Sequence, residues 1–217
     1  MRLIDTHSHL FLEEFSEDFP QVIERARAAG VTHIFMPNID STTIEAMLSA
    51  CSVYKGYCFP MIGLHPTSVN ANYEKELEIV ARELKFSKEY VAIGEIGMDL
   101  YWDKTYLKEQ QIVLDKQVNW ALEYDLPVVI HCRDAFDYIY KVLEPYKKTP
   151  LRGIFHSFTG TAEEAIRVLE FSDFFIGING VVTFKKSHLP EILAGIPLEK
   201  IVLETDSPYL TPVPNRG

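Results

Sequence analysis

The chain has 217 residues, 47% of them hydrophobic, with 21 basic and 31 acidic side chains and a formal net charge of −10. That length suits one barrel domain over residues 1–217, and that charge argues against a protein that coats duplex nucleic acid by releasing counterions. No apolar stretch reaches the roughly 20 residues of a membrane span, and the three cysteines, Cys51, Cys58 and Cys132, fit a reducing cytoplasm better than a disulfide framework.

Eight apolar, β-branched or aromatic runs predict strands, at 2–6, 31–36, 57–63, 90–94, 127–131, 152–156, 174–179 and 200–204. Most are almost continuously apolar, as strands buried on both faces are. Segments with apolar residues three and four apart lie between them. One is 19–29, with Phe19, Val22, Ile23 and Ala26, stopped by Gly30. Another is 104–124, with Leu107, Ile112, Leu114, Val118 and Leu122. A third is 161–171, whose acidic first turn, Glu163-Glu164, suits a helix dipole. Strand alternating with helix implies a parallel sheet, here an α/β (β/α)8 barrel of the TIM type. After the eighth strand only Ser207 to Gly217 remain. The expectation is a barrel shortened at its C-terminus, lacking the closing helix and exposing apolar strand surface between last and first strands.

Potential metal ligands recur in phase with this repeat. His7 and His9 stand two apart in the first strand run, so a strand would point both to one face. Later apolar runs lead into His65, Glu95, His131, His156 and Asp206. From His7 to Asp206 is 199 residues, seven steps averaging about 28, the length of one strand-plus-helix unit. Ligands fed from successive strand ends fit the catalytic face of such a barrel. The donors are imidazoles and carboxylates with no thiolate set, which suits zinc, manganese, iron or magnesium.

Six ligands, His7, His9, Glu95, His131, His156 and Asp206, are too many for one catalytic ion and suit two, with Glu95 bridging. His7, His9 and Asp206 come from the first and eighth strands, neighbours in a closed barrel, and would hold one ion with Glu95. His131 and His156 would hold the other. A water bridging the pair becomes a hydroxide near neutral pH, and the same ions polarise a phosphoryl or carbonyl oxygen. Asp206 is the candidate to accept the water's proton and pass it on, with Glu204 a lower-ranked rival. His65 falls outside the ligand set and is read as binding a substrate oxygen or protonating the leaving group, with a structural role in the Gly63-Leu64-His65-Pro66 turn equally open. His33 and His188 are out of phase and read as structural. Arg133, Lys185 and Lys186 are candidates for phosphate contacts, and Tyr101, Trp102 and Phe158 for stacking on bases. Asp99 and Asp103 are expected to orient the loop after Glu95. Cys132 reads as a small apolar wall residue rather than a soft ligand.

The segments 3–10, 63–66, Gly94-Glu95-Ile96-Gly97-Met98-Asp99, 127–135, His156-Ser157-Phe158-Thr159-Gly160 and 201–208 resemble the TatD family of metal-dependent deoxyribonucleases. The family's ligand positions fall on the six residues named above. The resemblance implies a hydrolase with two divalent ions (magnesium, manganese or zinc), 3′–5′ exonuclease activity on DNA ends, and no membrane or obligatory protein partner. An ester or amide hydrolase on the same metals, such as a D-aminoacyl-tRNA deacylase, is the alternative, and a scaffold with structural metals is a third reading. Two departures stand out. Phe11 replaces an acidic residue common after the histidine pair, and family members continue about forty residues past the turn Pro214-Asn215-Arg216-Gly217 to supply the closing helix.

Overall fold

Each apolar run of the sequence contributes a parallel strand to the computed structural model, which describes residues 1–216. The elements alternate: β1 (Leu3–Asp5), α1 (Phe19–Ala28), β2 (Val31–Pro37), α2 (Ile44–Val53), β3 (Cys58–Met61), α3 (Tyr73–Phe86), β4 (Ile93–Asp99), α4 (Leu107–Glu123), β5 (Val128–Arg133), α5 (Phe136–Leu143), β6 (Gly153–Phe155), α6 (Ala162–Leu169), β7 (Phe174–Ile178), α7 (Leu189–Leu193) and β8 (Ile201–Leu203). Strands β1 to β3 form one parallel ladder and β4 to β8 another. Backbone hydrogen bonds stitch both seams. Between β3 and β4, Val91 N donates to Pro60 O at 3.0 Å and Gly94 N to Ile62 O at 2.9 Å. Between β8 and β1, Thr6 N donates to Leu203 O at 3.1 Å and Asp206 N to His7 O at 2.9 Å. The eight strands therefore follow one another round a ring in chain order, the expected α/β barrel.

The β8–β1 seam has a further clamp. Buried Asp5 accepts from Thr205 N at 2.9 Å and from Thr205 Oγ1 at 2.7 Å, joining residues 200 apart in sequence. Burial pushes the Asp5 carboxyl up to about 7, against those hydrogen bonds. The outer face of this seam is bare, with Ile4 47% and Leu203 54% exposed, and no helix follows β8 among the described residues. Residue 217, the last of the Pro-x-Arg-Gly turn, lies outside the described residues.

One contiguous core fills the space between strands and helices. It includes Ile34, Ile93, Ile130, Phe155, Phe174 and Ile176 from the strands and Ile23, Met47, Val80, Leu114, Ile139 and Val168 from the helices. The apolar helix periodicity thus faces the barrel wall. Boundaries shift where local side chains intervene. The helix expected from 104 starts at Leu107, because Asp103 bends the chain by accepting from Thr105 N at 2.9 Å. The helix expected from 161 starts at Ala162, since Thr161 caps it reciprocally with Glu164. His33 stacks on Phe59 within the β2–β3 wall, and His188 precedes α7. Burial pushes the thiols of Cys51 and Cys58 up to about 12. Among the described residues, no helix is long and apolar enough to cross a membrane.

Two strand expectations need correcting. The first strand ends at Asp5, so His7 and His9 converge from an extended loop beyond it rather than from a pleated strand. The run expected at 90–94 is β4 at Ile93–Asp99, buried throughout, which puts Glu95 inside the strand rather than past its end. Gly97 lets β5 approach: its φ is +141°, and a Cβ there would stand 2.0 Å from His131 O. Gly97→Ala is therefore expected to cost about 3 kcal/mol or more, measured by urea unfolding, because both the conformation and the space exclude a side chain.

Candidate metal centre

At the C-terminal mouth of the ring, five imidazoles surround one buried carboxylate. Glu95 Oε2 lies 3.0 Å from His7 Nε2 and 3.6 Å from His9 Nε2. Its Oε1 lies 2.8 Å from His156 Nε2, 2.9 Å from His131 Nδ1 and 3.2 Å from His65 Nε2. The two oxygens thus address different histidine sets. Asp206, which has a left-handed φ of +59°, lies with Oδ1 3.6 Å from both His7 Nε2 and His9 Nε2. His156 bridges the halves, its ring stacked on His7 at 3.8 Å. Three sets of ligand atoms are close enough to share an ion: His7, His9 and Glu95; His7, His156 and Asp206; and His65, Glu95 and His131. The sequence reading left His65 outside the cluster, but its turn brings it in.

The donor set fits divalent cations. His7 Nε2 and His9 Nε2 stand 3.2 Å apart, a contact that needs a proton or a cation between two lone pairs. The Nδ1 atoms of His7, His9 and His156 are buried without a hydrogen-bond partner. Electrostatics divide the imidazoles. Burial resists ionisation of Glu95, but His156, His65 and His7 outweigh it and hold the carboxyl well below its usual range. Burial opposes the charge on His156, yet Glu95 and Glu204 raise it well above the ordinary imidazole value. His131 is also raised against burial, by Asp99 and Glu95. Burial lowers His7, aided by the neighbouring charge of His156. It lowers His65 too, despite Glu95. Burial of Asp206 is outweighed by a hydrogen bond from His9 and by the charges of His156 and His7, which lower its pKa.

A second layer orients these rings. Asp99 Oδ2 accepts from His131 Nε2 at 3.0 Å, while its Oδ1 accepts from Tyr101 N at 3.0 Å. It therefore holds both the imidazole and the following loop, more than the loop role expected of it. Glu204 is fully buried behind the site, with Oε1 3.5 Å from His156 Nδ1 and bonded by Ser157 N. A Cβ on Gly177 would meet its Oε2 at 2.5 Å, so the glycine leaves room for the carboxylate. Glu204 backs His156 rather than competing with Asp206 at the mouth. No periodicity in the sequence marks Asp99 or Glu204 for these roles.

The cavity above the cluster measures about 650 Å³ and takes in His9, His65, Trp102, Arg133, Asp206 and Tyr209. Arg133 lies over Tyr101 at 3.8 Å and Trp102 at 5.4 Å. Lys185 does not line this cavity, and Lys186 lines a neighbouring one with Thr159 and Gly160. Phe158 is buried in the core and offers no ring for stacking. Cys132 edges the cavity, its thiol pushed up to about 12 by burial.

A parallel α/β barrel with clustered histidines and carboxylates at its strand ends defines a class, the metal-dependent hydrolases. The family model described as "TatD related DNase" matches residues 4–217, and the chain belongs to that family. It is 37% identical to the "Uncharacterized metal-dependent hydrolase YabD" of Bacillus subtilis over 99% of this chain and 84% of that protein. It is 34% identical to the "3'-5' ssDNA/RNA exonuclease TatD" of Pantoea sp., covering 97% of this chain and 81% of the relative. The crystal structure of YjjV, a TatD homologue from Escherichia coli K12, superposes with a TM-score of 0.92 at 31% identity, over 100% of this chain and 83% of that one.

In chelator-treated protein, His131 and His156 are expected to titrate above the ordinary histidine range and His7 and His65 below it, read by imidazole NMR shifts against pH. Glu95→Gln removes the shared counter-charge and should bring His156 down. An unmoved His156 would deny Glu95 that role.

Proposed function

We propose that the protein is an exonuclease that hydrolyses phosphodiester bonds at 3′ ends of DNA, with two divalent cations (magnesium, manganese or zinc) held by His7, His9, Glu95, His131, His156 and Asp206. The observation that carries this reading is the division of Glu95, one oxygen toward His7 and His9 and the other toward His131 and His156. That is the arrangement a bridging carboxylate requires. The name of the Pantoea relative supports the substrate class. Bound cations supply an acidified water and polarise a phosphoryl oxygen.

The chain's own residues would do the rest. Asp206 is ionised at neutral pH and lines the cavity, so it is the group that accepts a proton from an attacking water. His65 Nδ1 accepts from Thr67 N at 3.1 Å, which keeps the neutral ring's proton on Nε2. Nε2–H then points into the cluster as a hydrogen-bond donor, suited to hold a phosphate oxygen. Asp99 fixes the His131 ring by a hydrogen bond, as outer partners of metal-binding imidazoles do, and Glu204 backs His156 with its charge. The negative net charge favours engagement of strand ends over a long electrostatic track. A reducing cytoplasm is the compartment that the unpaired cysteines suit.

Chelation should abolish stepwise shortening of end-labelled single-stranded DNA, and added Mg²⁺ or Mn²⁺ should restore it. Asp206→Asn should lower kcat by roughly 10²- to 10⁴-fold, the span of general acid–base catalysis. Cleavage of D-aminoacyl-tRNA with intact strands would overturn the nuclease reading. Against burial, Glu95, with Asp99 and Glu204, raises His131 and His156 above the ordinary imidazole value in the metal-free site, so cation binding should release protons. Apparent metal affinity should therefore rise with pH, measured by calorimetry in buffers of different ionisation enthalpy.

A further inference from the structure

Trp102 is 75% exposed and Tyr101 52% exposed, large rings left in water at the lip of the metal-centre cavity, which Trp102 helps to line. They pack edge to face at 4.8 Å, and the Arg133 guanidinium covers the Tyr101 ring at 3.8 Å. The group is anchored from both sides. Asp99 accepts from Tyr101 N, and Asp103 accepts from Thr105 N at 2.9 Å and from Thr105 Oγ1 at 2.7 Å. Asp99 is also the carboxylate that binds His131. A single side chain thus sets the distance between the aromatic group and the candidate centre. Exposed aromatic rings packed on one another and on a guanidinium between two turns have less conformational freedom to lose when a ligand arrives.

We propose that Trp102, backed by Tyr101 and Arg133, is a stacking platform for an unpaired nucleobase, and that it, rather than phosphate charge, provides most of the grip on the strand and selects frayed or single-stranded ends. This rests on the nuclease reading. Its chemistry follows from the surface. At −10 net charge the protein is poorly suited to counterion-driven binding, and among the named mouth candidates only Arg133 brings a cation to the cavity lining. A π-face in water is sequence-tolerant and reads only whether a base is free to stack. A paired base has its faces covered by its neighbours.

The test compares an oligothymidylate with the same strand carrying abasic residues at its two 3′-terminal positions. The wild type should show a KM lower by about tenfold for the based strand. Trp102→Ala should raise KM for that strand to the abasic level with kcat retained, and Trp102→Phe should keep most of the preference. Equal effects of Trp102→Ala on both strands, or none on either, would overturn the platform. A second reading does not depend on turnover. Trp120 is the only other tryptophan and packs against the core, so Trp120→Phe makes fluorescence report Trp102 alone. Oligothymidylate should quench it with little salt dependence, and the abasic strand should not. Quenching without cleavage would sink the nuclease proposal and leave the platform standing. Cleavage without base-dependent quenching would do the reverse.

Discussion

A carboxylate buried among imidazoles is tenable only if charge is balanced there, and Glu95 is the group on which that balance rests. Its two oxygens meet five histidine rings drawn from the loops after β1 and β3 and from β5 and the end of β6. Without Glu95, His131 and His156 lose a principal cause of their raised pKa, and His7 and His9 face one another unmediated. An uncompensated charge in such a place costs several kcal/mol. The strand that carries Glu95 is accordingly buried along its whole length and paired closely with β5 through Gly97.

The fold's other demands follow from bringing those rings together. His7 and Asp206 belong to opposite ends of the chain, and they meet because β8 closes on β1. Asp206 N bonds His7 O, and Asp5 takes two hydrogen bonds from Thr205. The clamp sits one turn of backbone from the candidate ligands, so seam and site are one structure. The outer layer is selective in the same way. Asp99 fixes His131 and the Tyr101 loop together, and Glu204 takes the space that Gly177 leaves behind His156.

Charge and aromatic surface divide the labour at the mouth. The interior of the site suits divalent cations, whereas the rim offers exposed rings and few cations. In the proposed reading, the reacting phosphate is gripped from below and the base from the side, which is compatible with an acidic protein acting on a polyanion at one point.

Much of this was legible in the sequence. Continuous apolar runs alternating with helical periodicity give a parallel barrel, because strands buried on both faces and helices buried on one leave different patterns. The phase of His7, His9, Glu95, His131, His156 and Asp206 against that repeat marks one end of the ring, since strand ends in a barrel share a mouth. What the sequence could not carry is anything set by side-chain direction or by contact across the ring. His65 enters the cluster because its turn orients Nε2 toward Glu95, and β4 carries glycines at 94 and 97 where the Val129 side chain and the His131 backbone of β5 take the room. Lys185 and Phe158 look suited to a substrate by type alone, yet one misses the cavity lining and the other is packed in the core. Composition and period depend on local chain chemistry and survive in one dimension. Which carboxylate backs which imidazole is decided only when segments up to 200 residues apart are packed at ångström distances.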